Sequence, residues 1–192
     1  MRVQTSDLAG ILLFLPEPFH DERGFFTRTF DTETFDRAVA EHSTDAVDNN
    51  ARAARFVQDS QSRSSRGVIR GMHGRRGAGE AKLVRCARGA VHDVVVDARP
   101  QSPTFGESRA FVLDDSTFAH LFIPPGFLHG FQVLSEVADV CYRIDRAHDS
   151  SEDIAVAYDD RDLAIDWPSA PTVMSERDRN AGTWHEVRSL LT

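Results

Sequence analysis

Three segments set chemically capable side chains inside apolar, strand-like sequence. SSRGVIRGMHGRRG carries Arg70 and His73, KLVRCARG carries Lys82, and VCYRID carries Tyr142, one of only two tyrosines in the chain. An imidazole, an ammonium and a phenol on separate strands converge if those strands close into a barrel, whose mouth is where ligand sites form. Of the three, the imidazole is best suited to move protons near neutral pH. Lys82 stands out for another reason: the chain has 22 basic residues and, read along the sequence, this is the single lysine. Each residue also has a plain structural reading. His73 fits as a hydrogen-bonded core histidine, Lys82 as a side chain snorkelling from a strand edge, and Tyr142 as core with its hydroxyl satisfied.

Other chemistries find less support. No Gly-x-Ser-x-Gly elbow is present for a nucleophilic triad. A metal site on a small β-barrel commonly takes two histidines one residue apart, with a glutamate soon after and a third histidine further on. Here His73 is followed by Gly74 and Arg75. His73, His129 and a carboxylate remain candidates for a facial triad. Arg70, Arg75 and Arg76, however, crowd the same neighbourhood with positive charge, which suits an anionic ligand better than a cation.

The elements that must position these groups are mostly strands. KLVRCARG, AVHDVVVDAR, SRAFVLDD, HLFIPPG, FLHGFQVLSE, ADVCYRID and IAVAYDD recur at intervals near ten residues without long helical stretches between them. That pattern predicts an all-β fold, an antiparallel sandwich or barrel. In AVHDVVVDAR, alternation sets Val91, Asp93, Val95 and Asp97 on one face and His92, Val94 and Val96 on the other. Neither face is cleanly polar, so one should meet a partner sheet and the other a subunit or a lined cavity. Asp31 to His42 reads as a short helix capped by Asp31 with Glu33 in its first turn. A second short helix is expected after SERD near the C-terminus. With 192 residues, 41% hydrophobic and 27% charged, no repeat and no linker, the chain is expected to form one domain over residues 1–192.

The formal net charge of -8, spread along the chain, excludes a basic stripe of the kind nonspecific nucleic-acid binding requires. The apolar run near the N-terminus follows an acidic residue and precedes no small-residue cleavage site, so it does not read as a secretory signal. No stretch approaches the roughly 20 apolar residues of a membrane helix. Cys86 and Cys141 each sit in an apolar strand and read as reduced thiols, which points to the cytoplasm.

Several segments, in order, resemble the dTDP-4-dehydrorhamnose 3,5-epimerase family from about residue 18 to about residue 180. They are PFHDERGFFTRTF, QDSQSRSSRGVIRGMH, KLVRCARGAVHDVVVDARPQSPTFG, IPPGFLHGFQVLSE, Tyr142 to Asp160, AIDWP and MSERD. The resemblance implies a cupin-like jelly-roll β-barrel with a few short peripheral helices. It also implies a homodimer that exchanges an N-terminal strand, no metal and no cofactor. The substrate it implies is a nucleoside-diphosphate keto-sugar, epimerised at C3, C5 or both in deoxysugar biosynthesis. Carried over by residue, His73 is the base, Tyr142 the acid, Asp178 the partner of the histidine and Lys82 the active-site lysine. Sugar-nucleotide contacts fall on Arg23, Arg28, Gln58, Ser60, Arg70, His129, His148, Asp153 and Arg177. The chain departs from the family at several of these places. Arg75 stands where glutamine is common, Ser60 where asparagine is, Arg28 or Asp153 where glutamate is, and His148 where a tyrosine stacks on the base.

Overall fold

The computed structural model describes residues 1–42 and 55–191. Four short strands open the chain: β1 (Arg2–Thr5), β2 (Leu12–Leu15), β3 (Phe19–Asp21) and β4 (Gly24–Phe26). Helix α1 (Thr32–His42) follows, and then β5 (Gln58–Ser65), β6 (Ile69–Arg75), β7 (Lys82–Arg88) and β8 (Ala90–Asp97). Strands β9 (Ser108–Asp114), β10 (His120–Ile123), β11 (Phe127–Val133), β12 (Val137–Ile144) and β13 (Asp153–Ala155) complete the sheets. Two short helices, α2 (Glu176–Arg179) and α3 (Trp184–Arg188), end the chain.

The strands form a six-stranded sheet in the order β1-β2-β10-β7-β12-β5 and a five-stranded sheet in the order β13-β6-β11-β8-β9, with β3-β4 as a separate hairpin. Every ladder between these strands is antiparallel. Inward residues of both sheets, among them Val84, Leu121, Ile123 and Val140 from one and Val91, Val95, Leu113 and Phe131 from the other, make one shared core. This is the all-β antiparallel fold that the strand spacing predicts, of the cupin-like kind that the resemblance implies.

Both outer faces are covered by the chain itself. Helix α1 begins at Asp31, whose Oδ1 accepts from the Thr34 amide at 3.0 Å. Its Phe35, Ala38 and Val39, spaced for one helical face, pack on Leu12, Phe14, Leu83 and Phe122 of the six-stranded sheet. On the other sheet, Val94 and Val96 of β8 meet Leu163, Trp184 and Val187. The second face of β8 is thus buried by the C-terminal segment, where the sequence suggested a subunit or cavity. Two turns of helix stand where one was expected, because SERD itself winds into α2 with Ser175 as its cap before α3 begins. Among the described residues, no helix is long and apolar enough to cross a membrane. Both cysteines are free and buried, and burial pushes the Cys86 thiol up to about 12.

Candidate active site

On the side of β5, β12 and β6, a cleft of roughly 770 Å³ opens between the sheets. Its floor depends on a close approach of two strands. A Cβ at Gly71 would lie 2.5 Å from the Gly130 Cα, so glycine is needed where β6 lies against its antiparallel neighbour β11. The ladder is irregular beside that contact, and His73 comes opposite His129 in register.

His73 points from β6 into the cleft with its side chain about one-third exposed, and its Nε2 lies 2.5 Å from Asp178 Oδ1. Helix α2 supplies Asp178 to the cleft edge, where the carboxylate is buried. Burial alone would raise this carboxyl. Hydrogen bonds from His73 and Ser175 and the charge of His73 outweigh it and hold the group below the usual carboxylate range. An ionised Asp178 accepts the Nε2 proton, which leaves Nδ1 as the imidazole nitrogen able to take up another.

Tyr142 enters from β12, whose register sets it between Ser60 on β5 and Val84 on β7. Its hydroxyl lies 3.0 Å from Ser62 Oγ. Burial pushes the phenol well above the usual tyrosine range, and the Ser62 contact offsets only part of that. The phenol therefore keeps its proton through neutral and moderately alkaline pH. Lys82 opens β7 inside the same cleft, with Nζ 3.1 Å from Glu80 Oε1.

The remaining residues named from the sequence fall into two groups. Ser60, Arg70, His129, His148, Asp153 and Arg177 all line the cleft. Arg70 Nε donates to Ser64 Oγ at 2.9 Å, and His129 Nε2 lies 2.9 Å from Asp93 Oδ2. His148 Nδ1 sits 3.0 Å from an Arg75 terminal nitrogen, and Arg177 pairs with Asp153 at 3.0 Å. Arg23, Arg28 and Gln58 are not part of the cleft wall. Arg23 stands on the β3–β4 turn, paired with Asp21 at 2.5 Å and 85% exposed, while Arg28 pairs with Asp31 at 3.0 Å. Gln58 donates to the Arg146 backbone carbonyl.

Sequence reasoning did not single out Ser62, Glu80 or Asp93. The signal for Asp93 was present, as an acid among valines on an inward strand face. Glu80 lies two residues before Lys82, the spacing that sets side chains on one side of an extended chain. Among the described residues, no three of histidine, cysteine, aspartate and glutamate gather as a metal-ligating group.

The sequence profile of the dTDP-4-dehydrorhamnose 3,5-epimerase family matches residues 5–186. An enzyme of that description from Methanothermobacter thermautotrophicus is 39% identical over 189 residues, spanning 97% of this chain and 94% of its own. Among solved structures, a 4-keto-6-deoxy sugar epimerase from the novobiocin biosynthetic gene cluster of Streptomyces spheroides superposes with a TM-score of 0.89 at 35% identity, covering 98% of this chain and 90% of its own. A dTDP-6-deoxy-D-glucose-3,5-epimerase from Legionella pneumophila, solved with dTDP-4-keto-L-rhamnose, gives a TM-score of 0.89 at 33% identity over 99% of this chain and 96% of its own. A profile match across nearly the whole length, with relatives this similar in sequence and shape, leaves one conclusion: the chain belongs to the dTDP-4-dehydrorhamnose 3,5-epimerase family and is an isomerase of the epimerase type.

Proposed function

We propose that this cleft epimerises a dTDP-linked 4-keto-6-deoxyhexose at C3, C5 or both, by proton transfer through an enolate, in deoxysugar biosynthesis. The observation that carries this reading is the His73–Asp178 pair, which frees Nδ1 beside a buried phenol and an ammonium in one cleft.

The hydrogens on C3 and C5 both flank the C4 carbonyl, so loss of either gives an enolate. His73 Nδ1 takes the proton from one face of the ring. Asp178 holds the imidazole in the tautomer that leaves Nδ1 free and stabilises the imidazolium that forms. The electron pair moves onto the C4 oxygen, where Lys82 Nζ offers a fixed positive charge. Tyr142 then delivers its hydroxyl proton to the opposite face of the carbon, which inverts the centre. Its raised proton affinity in the free cleft suits it to arrive protonated. The phenolate and imidazolium return to their starting states by exchange with water. Arg70, with Ser64 fixing its Nε, is placed to hold the diphosphate by charge-assisted hydrogen bonds.

Arg23 and Arg28 reach the substrate only if the chain pairs with a second copy. The β3–β4 hairpin that carries Arg23 is exposed, with Phe19, Phe25 and Phe26 at 71%, 56% and 72% of their full surface. An aromatic hairpin left this bare supports a homodimer in which the N-terminal strands are exchanged, so that the hairpin lies over the partner's cleft. Buried free thiols support a reducing compartment, the cytoplasm.

The test is deuterium wash-in. Incubation with dTDP-4-keto-6-deoxyglucose in D₂O, followed by NMR, should show loss of the C3–H signal, the C5–H signal or both. The signals lost name the centres worked. Exchange no faster than in the enzyme-free control would remove the reading and leave a sugar-nucleotide-binding protein without turnover on this substrate.

A further inference from the structure

A chain of alternating charges crosses the cleft, and the proton transfers do not use it. Lys82 Nζ lies 3.1 Å from Glu80 Oε1, and Glu80 Oε2 lies 2.9 Å from Arg75 Nε. Arg75 Nε is 3.7 Å from Asp153 Oδ1, whose partner oxygen pairs with Arg177 at 3.0 Å. Arg177 directly precedes Asp178, so the series runs from the lysine to the helix that fixes His73. The inner members are well covered, with side-chain exposures of 4% for Arg75, 9% for Glu80 and 11% for Lys82. Arg75 is also tied at its far end, donating to the Ala147 carbonyl at 2.8 Å and to His148 Nδ1 at 3.0 Å.

Glu80 sits awkwardly for an enzyme that needs Lys82 as a free positive charge. A buried carboxylate against an ammonium draws it away from any other anion and cancels its field. Arg75 divides that attraction. Glu80 Oε2 has no hydrogen bond among the described residues although Arg75 Nε is 2.9 Å away, because the N–H is not in line. What holds that oxygen is the guanidinium's charge rather than a directed bond. Without Arg75, Glu80 would turn fully onto Lys82, and Asp153 would lose one of its two cationic neighbours.

We propose that Arg75 is a positioning residue that shares the Glu80 carboxylate with Lys82, engaging Oε2 while Lys82 engages Oε1, and so weakens the hold of Glu80 on the ammonium that serves the C4 oxygen. The proposal rests on Lys82 acting at that oxygen. The buried arginine is matched by the acidic Glu80, at side-chain exposures of 4% and 9%.

Because Lys82 is the only lysine, a protein labelled with ¹³C,¹⁵N-lysine and carrying a lysine-free tag reports its ε-ammonium as one resonance. Wild type, R75Q and the double variant R75Q/E80Q are compared for that resonance, for turnover and for dTDP affinity. R75Q should lose roughly tenfold in kcat or more, with dTDP affinity changing by less than about threefold. The Lys82 resonance should shift. Adding E80Q should recover most of the rate and return the resonance towards its wild-type position, a rescue that a merely structural role would not give. E80Q alone, which removes the competing carboxylate and keeps Lys82 the single lysine, should shift the resonance and serves if R75Q does not fold. Wild-type kcat in R75Q, or a double variant as slow as the single with an unmoved resonance, would overturn the proposal. If wild type fails to turn over, the functional reading falls instead, and the resonance alone still decides whether Arg75 controls the Lys82 environment.

Discussion

His73 and His129 face each other across the β6–β11 ladder, and each gives its Nε2 to an aspartate, yet the two pairs occupy opposite surroundings. Asp178 reaches His73 from a helix near the C-terminus, and the imidazole side chain keeps 33% of its surface exposed to the cleft. Asp93 reaches His129 from the neighbouring strand β8, and that pair is 6% and 0% exposed. A carboxylate fixes an imidazole's tautomer in either place. Access then decides whether the second nitrogen can meet a substrate. His73 keeps a third of its surface open to a ligand in the cleft, and the enclosed His129–Asp93 pair stands within the cleft wall.

Breaking the pairs one at a time should separate those roles. His73→Ala should lower kcat by roughly 10²–10⁴-fold. Its stability should change less, because Asp178 keeps its hydrogen bonds from Ser175 and the Gly71 backbone. Steady-state kinetics beside urea unfolding would show this, and near wild-type turnover would break the comparison. His129→Leu strands a fully buried Asp93 without its partner, which should cost about 3–5 kcal/mol of unfolding free energy. A loss below about 1 kcal/mol would mean that the inner pair does not brace the fold.

A third histidine sharpens the contrast. His120 on β10 is 2% exposed, and no carboxylate comes within ion-pair distance of it among the described residues. Burial first, and then the charges of Arg85 and Arg143, push this imidazole down to about 3. Its folded proton affinity lies below that of the unfolded chain, so only the unfolded chain takes up a proton as pH falls below about 6.5. The stability held by neutral His120 is complete above that pH and declines towards pH 3. Between pH 7 and pH 5 this amounts to about 2 kcal/mol. His120→Leu should flatten the acid limb of the urea-unfolding profile by that amount, and an unchanged limb would mean that His120 is not held neutral.

Much of this architecture could be read from the sequence where physics writes a period into it. Strands β7 to β12 show as apolar runs because their side chains meet another layer of the fold. Strand β5, QDSQSRSS, carries no such signal. It is an edge strand of the six-stranded sheet, and it turns serines to the cleft in place of apolar side chains to the core. Its Ser62, which touches Tyr142, could not be found by periodicity. Arg70, His73, Lys82 and Tyr142 were visible because polar groups inside apolar strands ask for a reason. Asp178, 105 residues from His73, entered only through the family resemblance, since no local rule links them. The placement of Arg23 and Arg28 outside the cleft wall was not readable either, because no local pattern says where a surface hairpin lies relative to a cleft.

In the proposed mechanism His73 removes the proton and Tyr142 returns one on the other face. The most direct measurement follows solvent deuterium into the sugar and the configuration at the labelled carbon together, in wild type, His73→Ala and Tyr142→Phe. Wild type should exchange and invert, and His73→Ala should do neither. Tyr142→Phe should still exchange, since His73 can take a proton and give back a deuteron on the same face, but should invert far more slowly. Exchange persisting in His73→Ala, or inversion at the wild-type rate in Tyr142→Phe, would contradict that division of labour.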